Sequence, residues 1–453
     1  MEDAETALGW ATKNQVRVGV KNTGHDYKGR SAGPVDLLLW THQYQPPITL
    51  DTNFTPDGCP SPVGDAITFG AGQGWDGVYA FAGNHGLTVV GGSSETVGPA
   101  GGWITGGGHS GLSPVYGLGV DNVLQLGVVL PNGTYVTANR CQNQDVFFAQ
   151  CGGGGGTFGV NMHMSTVAHP STPVQWVEIN FPNLTTGSQG TQRQLLDVLV
   201  SNANAWFDAG WGGYAYPAGQ RPNNMFPVQL MNPLLNQSQA LQSLQPLWDF
   251  ATSLHMTPEI TTYPSYYELY QDKIKGALKY AGNLGIAMSS RLVPRSNFEG
   301  ASNQTQLATT IMDAMENSGD DLMLMLLLVT PSQGIPDSGS SSVTPAWRSS
   351  TWHVIYQSIW DPARANATQT QAMFETVSRA MDPLRSITPD GGAYLNEGDT
   401  FEPDPVAAFW GGDNYKKLLA IKQEMDPGNI LQVHGGVGWN SSEELFACYP
   451  AVN

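Results

Sequence analysis

The stretch Val16–Ser31, VRVGVKNTGHDYKGRS, runs from a strand pattern straight into a turn rich in Asn, Gly, His and Asp. Val16, Val18 and Val20 alternate with Arg17, Gly19 and Lys21, the period of a half-buried strand. Ahead of it, Ala4 to Lys13 predicts a short helix with Ala7, Leu8 and Ala11 on one face. Beyond it, Asn22-Thr23-Gly24-His25-Asp26-Tyr27 and Gly29-Arg30-Ser31 are residue types that form tight turns and present backbone N–H groups. A His held in such a turn is either a structural hydrogen bonder or a reactive group, and the stretch alone leaves both open.

Outward from this turn the first third of the chain is dense in glycine and short strands. Ala66 to Gly72 predicts a strand ending in glycines, Trp75 to Asn84 a helix, and Leu87 to Val90 the next strand. Gly91 to Gly111 is a long glycine-rich loop, Val123–Leu130 and Tyr135–Ala138 a hairpin about Pro131-Asn132-Gly133, and Gly152 to Gly156 an unbroken glycine run. The character changes near Pro170-Ser171-Thr172-Pro173. Helices are expected over Gln192–Phe207, Gln239–Leu254 and Tyr415–Met425, and sheet strands over Val228–Met231, Gly285–Ser290 and Leu322–Thr330. Ser332–Ser342 reads as a flexible loop.

Three glycine clusters near strand ends point to a backbone that must approach a ligand closely, and a diphosphate suits N–H groups that form an anion nest without Lys or Arg. No G-x-G-x-x-G opens a helix and no G-x-x-x-x-G-K-[ST] occurs, which disfavours nicotinamide and P-loop folds. Gly108-His109-Ser110-Gly111 falls short of G-x-S-x-G, because Leu112 stands where the last glycine belongs.

With 453 residues, 40% hydrophobic and only 13% charged, the chain is long enough for two or three loop-rich domains. A net charge of −18 without Lys/Arg clusters argues against a nucleic-acid partner. Leu322–Val329 is too short to span a membrane. Cys59, Cys141, Cys151 and Cys448 show no zinc spacing and leave disulfides open. N-x-S/T sequons at Asn53, Asn132, Asn183, Asn236, Asn303, Asn366 and Asn440 favour secretion, although no signal peptide opens the chain.

The turn at His25, the loop GGSSETVGPAGGWITGGGHSGLSPVYGLGVDNV, the run GGGGGTFGV and the late NEGDTFEPD…FWGGDNYKKLLAIKQEMDP resemble the FAD-linked oxidases of the vanillyl-alcohol-oxidase type, berberine-bridge-enzyme branch, and its fungal secreted members most. The resemblance implies an α+β fold. Residues 1–172 would form a two-part FAD-binding domain of PCMH type and residues 173–392 an α/β substrate domain with a large antiparallel sheet. Residues 393–453 would return to the flavin domain. It also implies that His25 bonds covalently to the flavin 8-methyl carbon. Asn22, Thr23, Gly24 and Asp26 would sit on the FAD, Gly98, Gly102 and Gly107 would line a second wall, and Val160 would pack near the adenine or ribityl side. Ser94 stands where some relatives carry a Cys that bonds ring carbon 6, so a single link is expected. Trp103 replaces a His and Cys151 replaces a usual basic residue; the chain begins later than relatives do, so either the sequence is truncated or the flavin domain lacks its first strands.

On the catalytic side the resemblance points to Ala393-Tyr394-Leu395-Asn396-Glu397. Read as a strand, it turns Tyr394 and Asn396 to one cavity, Tyr394 as base or substrate-orienting phenol and Asn396 as a flavin contact. Glu397 is a rival base that should point the other way. Trp206, Trp211, Tyr214, Tyr216, Trp352, Tyr356 and Trp360 are candidates for the substrate wall, and His42, His85, His163, His169, His255, His353 and His434 read as ordinary, with no metal site. The expected activity is a secreted, monomeric flavoprotein oxidase that takes hydride from an alcohol, sugar or secondary metabolite and passes electrons to O2, giving H2O2. The alternatives are an inactive, shortened relative and a secreted carbohydrate-binding protein.

Overall fold

The computed structural model describes residues 1–182, 190–217, 225–276, 284–318, 322–331, 339–440, 442 and 444–450. The sequon at Asn183 and residues 332–338 of the expected loop lie outside them.

The opening helix forms over Glu2–Asn14 and stops at Gln15, whose φ of 53° is left-handed. Leu8 and Ala11 are its buried face and pack with Val18, Val129, Val160, Met162, Ile430 and Leu431. The strand that follows, Val18–Lys21, pairs in parallel with Leu37–Trp40, Val18 opposite Leu37 and Lys21 opposite Trp40. Its end therefore projects the Asn22–Asp26 turn off a fixed edge. Beside it lies a five-stranded antiparallel sheet in the order Thr49–Asp51, Ala66–Gly70, Val160–Val167, Val123–Val129, Tyr135–Asn139. Cys59 and Cys141 form a disulfide, with Cα atoms 5.3 Å apart.

The expected loop Gly91–Gly111 is more ordered than its glycine content suggests. Pro99–Trp103 forms a wide helical turn and Ile104–Gly106 a further turn. Trp103 fixes them: its ring meets Trp75 edge-on at 4.8 Å, and its Nε1 donates to His109 O at 3.3 Å. The region expected as one helix, Gln239–Leu254, is two, Gln237–Ser243 and Gln245–Ser253, because Pro246 supplies no N–H to continue the first.

The second half is built on a seven-stranded antiparallel sheet in the order Ile260–Tyr263, Val174–Pro182, Met225–Asn232, Gly212–Ala215, Met323–Leu328, Ser350–Trp360, Gly285–Pro294. Helices Thr191–Asp208, Ala301–Ser318 and Ala367–Ile387 cover one face. The sequence reading assigns no element to Ser350–Trp360. Its first nine residues are all buried, so no polar alternation marks it. Trp352, Val354 and Tyr356 face the helices, while His353, Ile355 and Gln357 take the opposite face by strand alternation.

From Ala393 the chain returns to the first half. Ala393, Leu395, Phe409, Trp410, Leu418 and Val437 pack on Phe148 and Phe158, beside the glycine run. Lys422, on helix Gly412–Met425, is buried and donates to Thr157 O at 2.9 Å, Leu431 O at 2.8 Å and Asp426 Oδ2 at 2.6 Å. One ammonium thereby ties the late helix to the end of the glycine run.

Candidate active site

A cavity of about 680 Å³ separates the glycine loops from the bare face of the seven-stranded sheet. Asn22 to Tyr27, Ser93, Ser94, Gly98, Gly101, Gly102, Gly155 and Gly156 form one side of its wall. In the opening turn, the backbone N–H groups of Thr23, Gly24, His25 and Asp26 donate to no protein acceptor among the described residues. Such consecutive free donors are an anion-binding hollow. Asn22 is pinned through its amide nitrogen to Thr41 Oγ1 at 3.0 Å and to Ala71 O, and its Oδ1 is left buried without a donor. A Cβ at Gly98 would stand 1.6 Å from that Oδ1, so only glycine lets the two walls approach. At Gly102 a Cβ would meet nothing within 4 Å. Asn161, also in the wall, has a second buried Oδ1 without a donor. The pocket is thus lined with idle donors and acceptors around an open hollow.

The end of the opening stretch now has a reason. The Asp26 carboxylate accepts from the backbone N–H of Arg30 at 2.6 Å and from its Nε at 2.9 Å, closing the turn over Gly29, whose φ is +73°. Burial opposes ionisation of Asp26, but the Arg30 charge and hydrogen bonds outweigh it and hold the carboxyl below its ordinary value. Asp26 therefore braces the loop. His25 is placed with its Nε2 2.7 Å from Thr96 Oγ1. Burial lowers its pKa, which favours the neutral imidazole with a free lone pair.

Facing this loop across the cavity are Tyr394, Asn396, Glu397 and His109. Asn396 donates from Nδ2 to Tyr394 Oη at 2.8 Å and to Gly102 O at 2.8 Å, bridging the late segment to the second glycine wall. Glu397 does not point away. The segment is a turn, closed by Glu397 N donating to Tyr394 O at 3.1 Å, so strand alternation fails and the carboxylate swings into the cavity. It accepts from His109 Nε2 at 3.2 Å and lies 3.6 Å from His353 Nδ1. Burial works against its charge, but His109 and, to a lesser extent, His353 more than offset it and hold the carboxyl below its ordinary value. His353 is fully buried, neither ring nitrogen has a hydrogen-bond partner, and burial pushes its pKa down to about 3. It is thus a neutral dipole, and His109 carries the larger share of the effect. Burial, then the Glu397 charge, pushes the Tyr394 phenol well above its ordinary value, so it stays protonated.

Residues 1–139 match the family description "FAD binding domain", and residues 393–438 match "Berberine and berberine like". The chain is 34% identical to the FAD-linked oxidoreductase ffsJ of Aspergillus flavipes over 95% of its own length and 73% of the relative's. It is 33% identical to the FAD-linked oxidoreductase cheF of Chaetomium globosum, over 100% of its own length and 71% of that protein. The chain belongs to the berberine-bridge-like FAD-linked oxidoreductases. The VAO-type flavoprotein MtVAO615 from Myceliophthora thermophila shares the fold with a TM-score of 0.83 and 28% identity, covering 96% of this chain and 78% of that one. A glucooligosaccharide oxidase from Acremonium strictum, whose FAD is 6-S-cysteinyl and 8α-N1-histidyl, overlays with a TM-score of 0.75 at 19% identity over 96% and 89% of the two chains.

The residues of this FAD oxidoreductase fit its cofactor. Free N–H groups at Thr23 to Asp26 suit a diphosphate, and the idle acceptors of Asn22 and Asn161 suit N–H or O–H groups of the bound molecule. Asn22, Thr23, Gly24, His25, Asp26, Ser94, Gly98, Gly102, Tyr394 and Asn396 all line the cavity. Gly107 and Val160 do not. Gly107 adopts a φ of +125° behind the wall, where a Cβ would meet Val343, and Val160 is core, packed with Val18 and Val129 while its neighbours Gly159 and Asn161 face the cavity. Of the expected aromatic wall, Tyr214 and Tyr216 line the pocket, whereas Trp206, Trp211, Trp352 and Tyr356 belong to the helix-covered core and Trp360 packs against it. Sequence reasoning passed over His109 and took His353 as ordinary. With Glu397 they bring three potential metal-ligand atoms within 4.8 Å of one another, an arrangement made by a loop, a strand and a turn far apart in sequence.

Proposed function

We propose that this protein is a secreted, monomeric flavoprotein oxidase that removes hydride from a carbinol carbon. The observation that carries the reading is one cavity holding both the His25 turn and an ionised Glu397 beside a protonated Tyr394. Bound FAD supplies the two-electron acceptor, which takes the hydride and returns the electrons to O2 as H2O2. Glu397 accepts the hydroxyl proton of the substrate, and His109 holds the carboxylate in place and charged. Tyr394, kept as a phenol and fixed by Asn396, donates a hydrogen bond that orients the substrate oxygen. His25 anchors the cofactor through Nδ1, because Nε2 is engaged with Thr96 Oγ1. Ser94 has no thiol, so a second link at that position is not expected. Six sequon asparagines, at Asn53, Asn132, Asn236, Asn303, Asn366 and Asn440, are exposed, and together with the disulfide they support an oxidising, secreted setting.

Acid precipitation tests the anchor. The wild-type pellet stays yellow and His25→Ala releases its flavin to the supernatant. Flavin that stays with the acid-denatured His25→Ala chain refutes the linkage.

A further inference from the structure

The cavity has two chemically different ends. At the Glu397 end, charge and hydrogen-bonding groups converge. Away from it, the part of the bare face on strands Met323–Leu328, Ser350–Trp360 and Gly285–Pro294 is mostly apolar and rich in thioethers. Register places Met325 beside Ile355, and Met323 and Met288 on either side of Gln357. Ile286 pairs with Ile359 in the next row. The lip consists of Leu284 and Ile359, which are 40% and 39% exposed and continue the apolar strip to solvent. Unbranched Met side chains adapt to irregular apolar shapes and offer no strong hydrogen-bonding atom.

Several polar groups near this strip are already engaged, Tyr214 with Ser93 among them. Gln229 donates to Glu178 at 3.0 Å, and Lys273 lies between Glu178 and Asp272. The Gln357 amide is not engaged: it is buried beside Met288 and Met323, lines the cavity, and has no hydrogen-bond partner among the described residues. A saccharide laid on this strip would bury hydroxyls against Met and Ile with little beyond the Gln357 amide to pair them, a cost of roughly 1–3 kcal/mol for each one left over.

We infer that the substrate is an elongated, largely apolar hydroxy compound, not a sugar. Its reacting hydroxyl lies at Glu397, and a second hydrogen-bonding group lies about 13 Å farther along, the rise from His353 to Gln357 on one strand. Its apolar body rests on Met288, Met323 and Met325. This rests on the proposed role of the Glu397 end, and adds what the rest of the cavity selects.

The test uses purified holoenzyme and three probes: 1-decanol, methyl 10-hydroxydecanoate and cellobiose. Binding is read by calorimetry, and oxidation by anaerobic bleaching of the flavin. The two apolar probes are expected to bind at least 100-fold more tightly than cellobiose. Met323→Gln should weaken both at least tenfold. Gln357→Leu should weaken the ester about tenfold and bind decanol at least as tightly as wild type does. Apolar probes that bind without bleaching the flavin would refute alcohol oxidation and leave the substrate class standing. Bleaching by cellobiose alone would uphold the oxidation and overturn the substrate class. Failure of both apolar probes to bind, or indifference to Met323→Gln, also overturns it.

Discussion

Replacing Glu397 by Gln keeps the side chain's length and leaves an oxygen to accept from His109 Nε2, now 3.2 Å away, so the turn has no reason to unfold. What is lost is the charge and the capacity to take a proton. A positioned general base contributes about 10²- to 10⁴-fold, so the barrier should rise by about 3–5 kcal/mol. Anaerobic stopped-flow reduction of the flavin isolates this step from reoxidation. Because His109 and His353 together outweigh burial at Glu397, the wild-type acid limb should lie below the ordinary 4.5 and the rate should be flat above it, through neutral pH. In Glu397→Gln that limb should vanish along with the rate. Tyr394→Phe should slow reduction by less and keep the acid limb, since the phenol orients and does not take the proton. A Glu397→Gln enzyme within about threefold of wild type refutes the assignment. So would an acid limb that persists in it, or a wild-type rate that climbs into the alkaline range and collapses in Tyr394→Phe.

Gly98→Ala should displace Asn22, since the new methyl would stand 1.6 Å from Oδ1; a strain of about 1–3 kcal/mol would appear as a reduced ratio of 450 nm to 280 nm absorbance in the purified protein. Lys422→Met should leave Asp426 buried without its cation and Thr157 O without its donor, costing about 3–5 kcal/mol in urea unfolding, with flavin released at lower urea than in wild type. His434 stacks on Tyr449 at 4.1 Å, and burial, helped by Lys28 and Arg30, lowers its pKa to about 4 from 6.5. Between those values the unfolded chain binds the extra proton, so stability falls as pH drops from 6.5 to 4 and levels off below, a loss approaching about 3 kcal/mol from this group. His434→Phe should flatten that part of the pH dependence of the melting temperature, and an unchanged slope would reject the assignment.

The first wall of the site was legible because its signals are local. A strand that stops at Lys21, a turn that needs free N–H groups, and glycines that admit close approach can each be read within a few residues. The second wall depends on which face a strand presents and how it is registered. Glu397 was assigned to the wrong side because Ala393–Glu397 looks like alternation but ends in a turn. His353 and the methionines were missed because Ser350–Trp360 is buried on both faces and carries no period to read. The aromatic residues looked like a substrate wall by type alone. Most of them are the large side chains that fill the helix-covered side of the same sheet. Val160 failed by one position, since a strand sends adjacent side chains to opposite faces and Asn161 took the cavity.

The cavity draws on Asn22 near one end of the chain and on Glu397 and Val433 near the other. During synthesis the first glycine wall leaves the ribosome long before its counterpart exists. Until that counterpart is made, the cavity has no second wall. Closure of the cavity therefore waits for the segment from Tyr394 onward, and Lys422 then holds helix Gly412–Met425 against Thr157. A stop codon ahead of that helix would yield a colourless protein even though every residue matched to the FAD-binding region had been made.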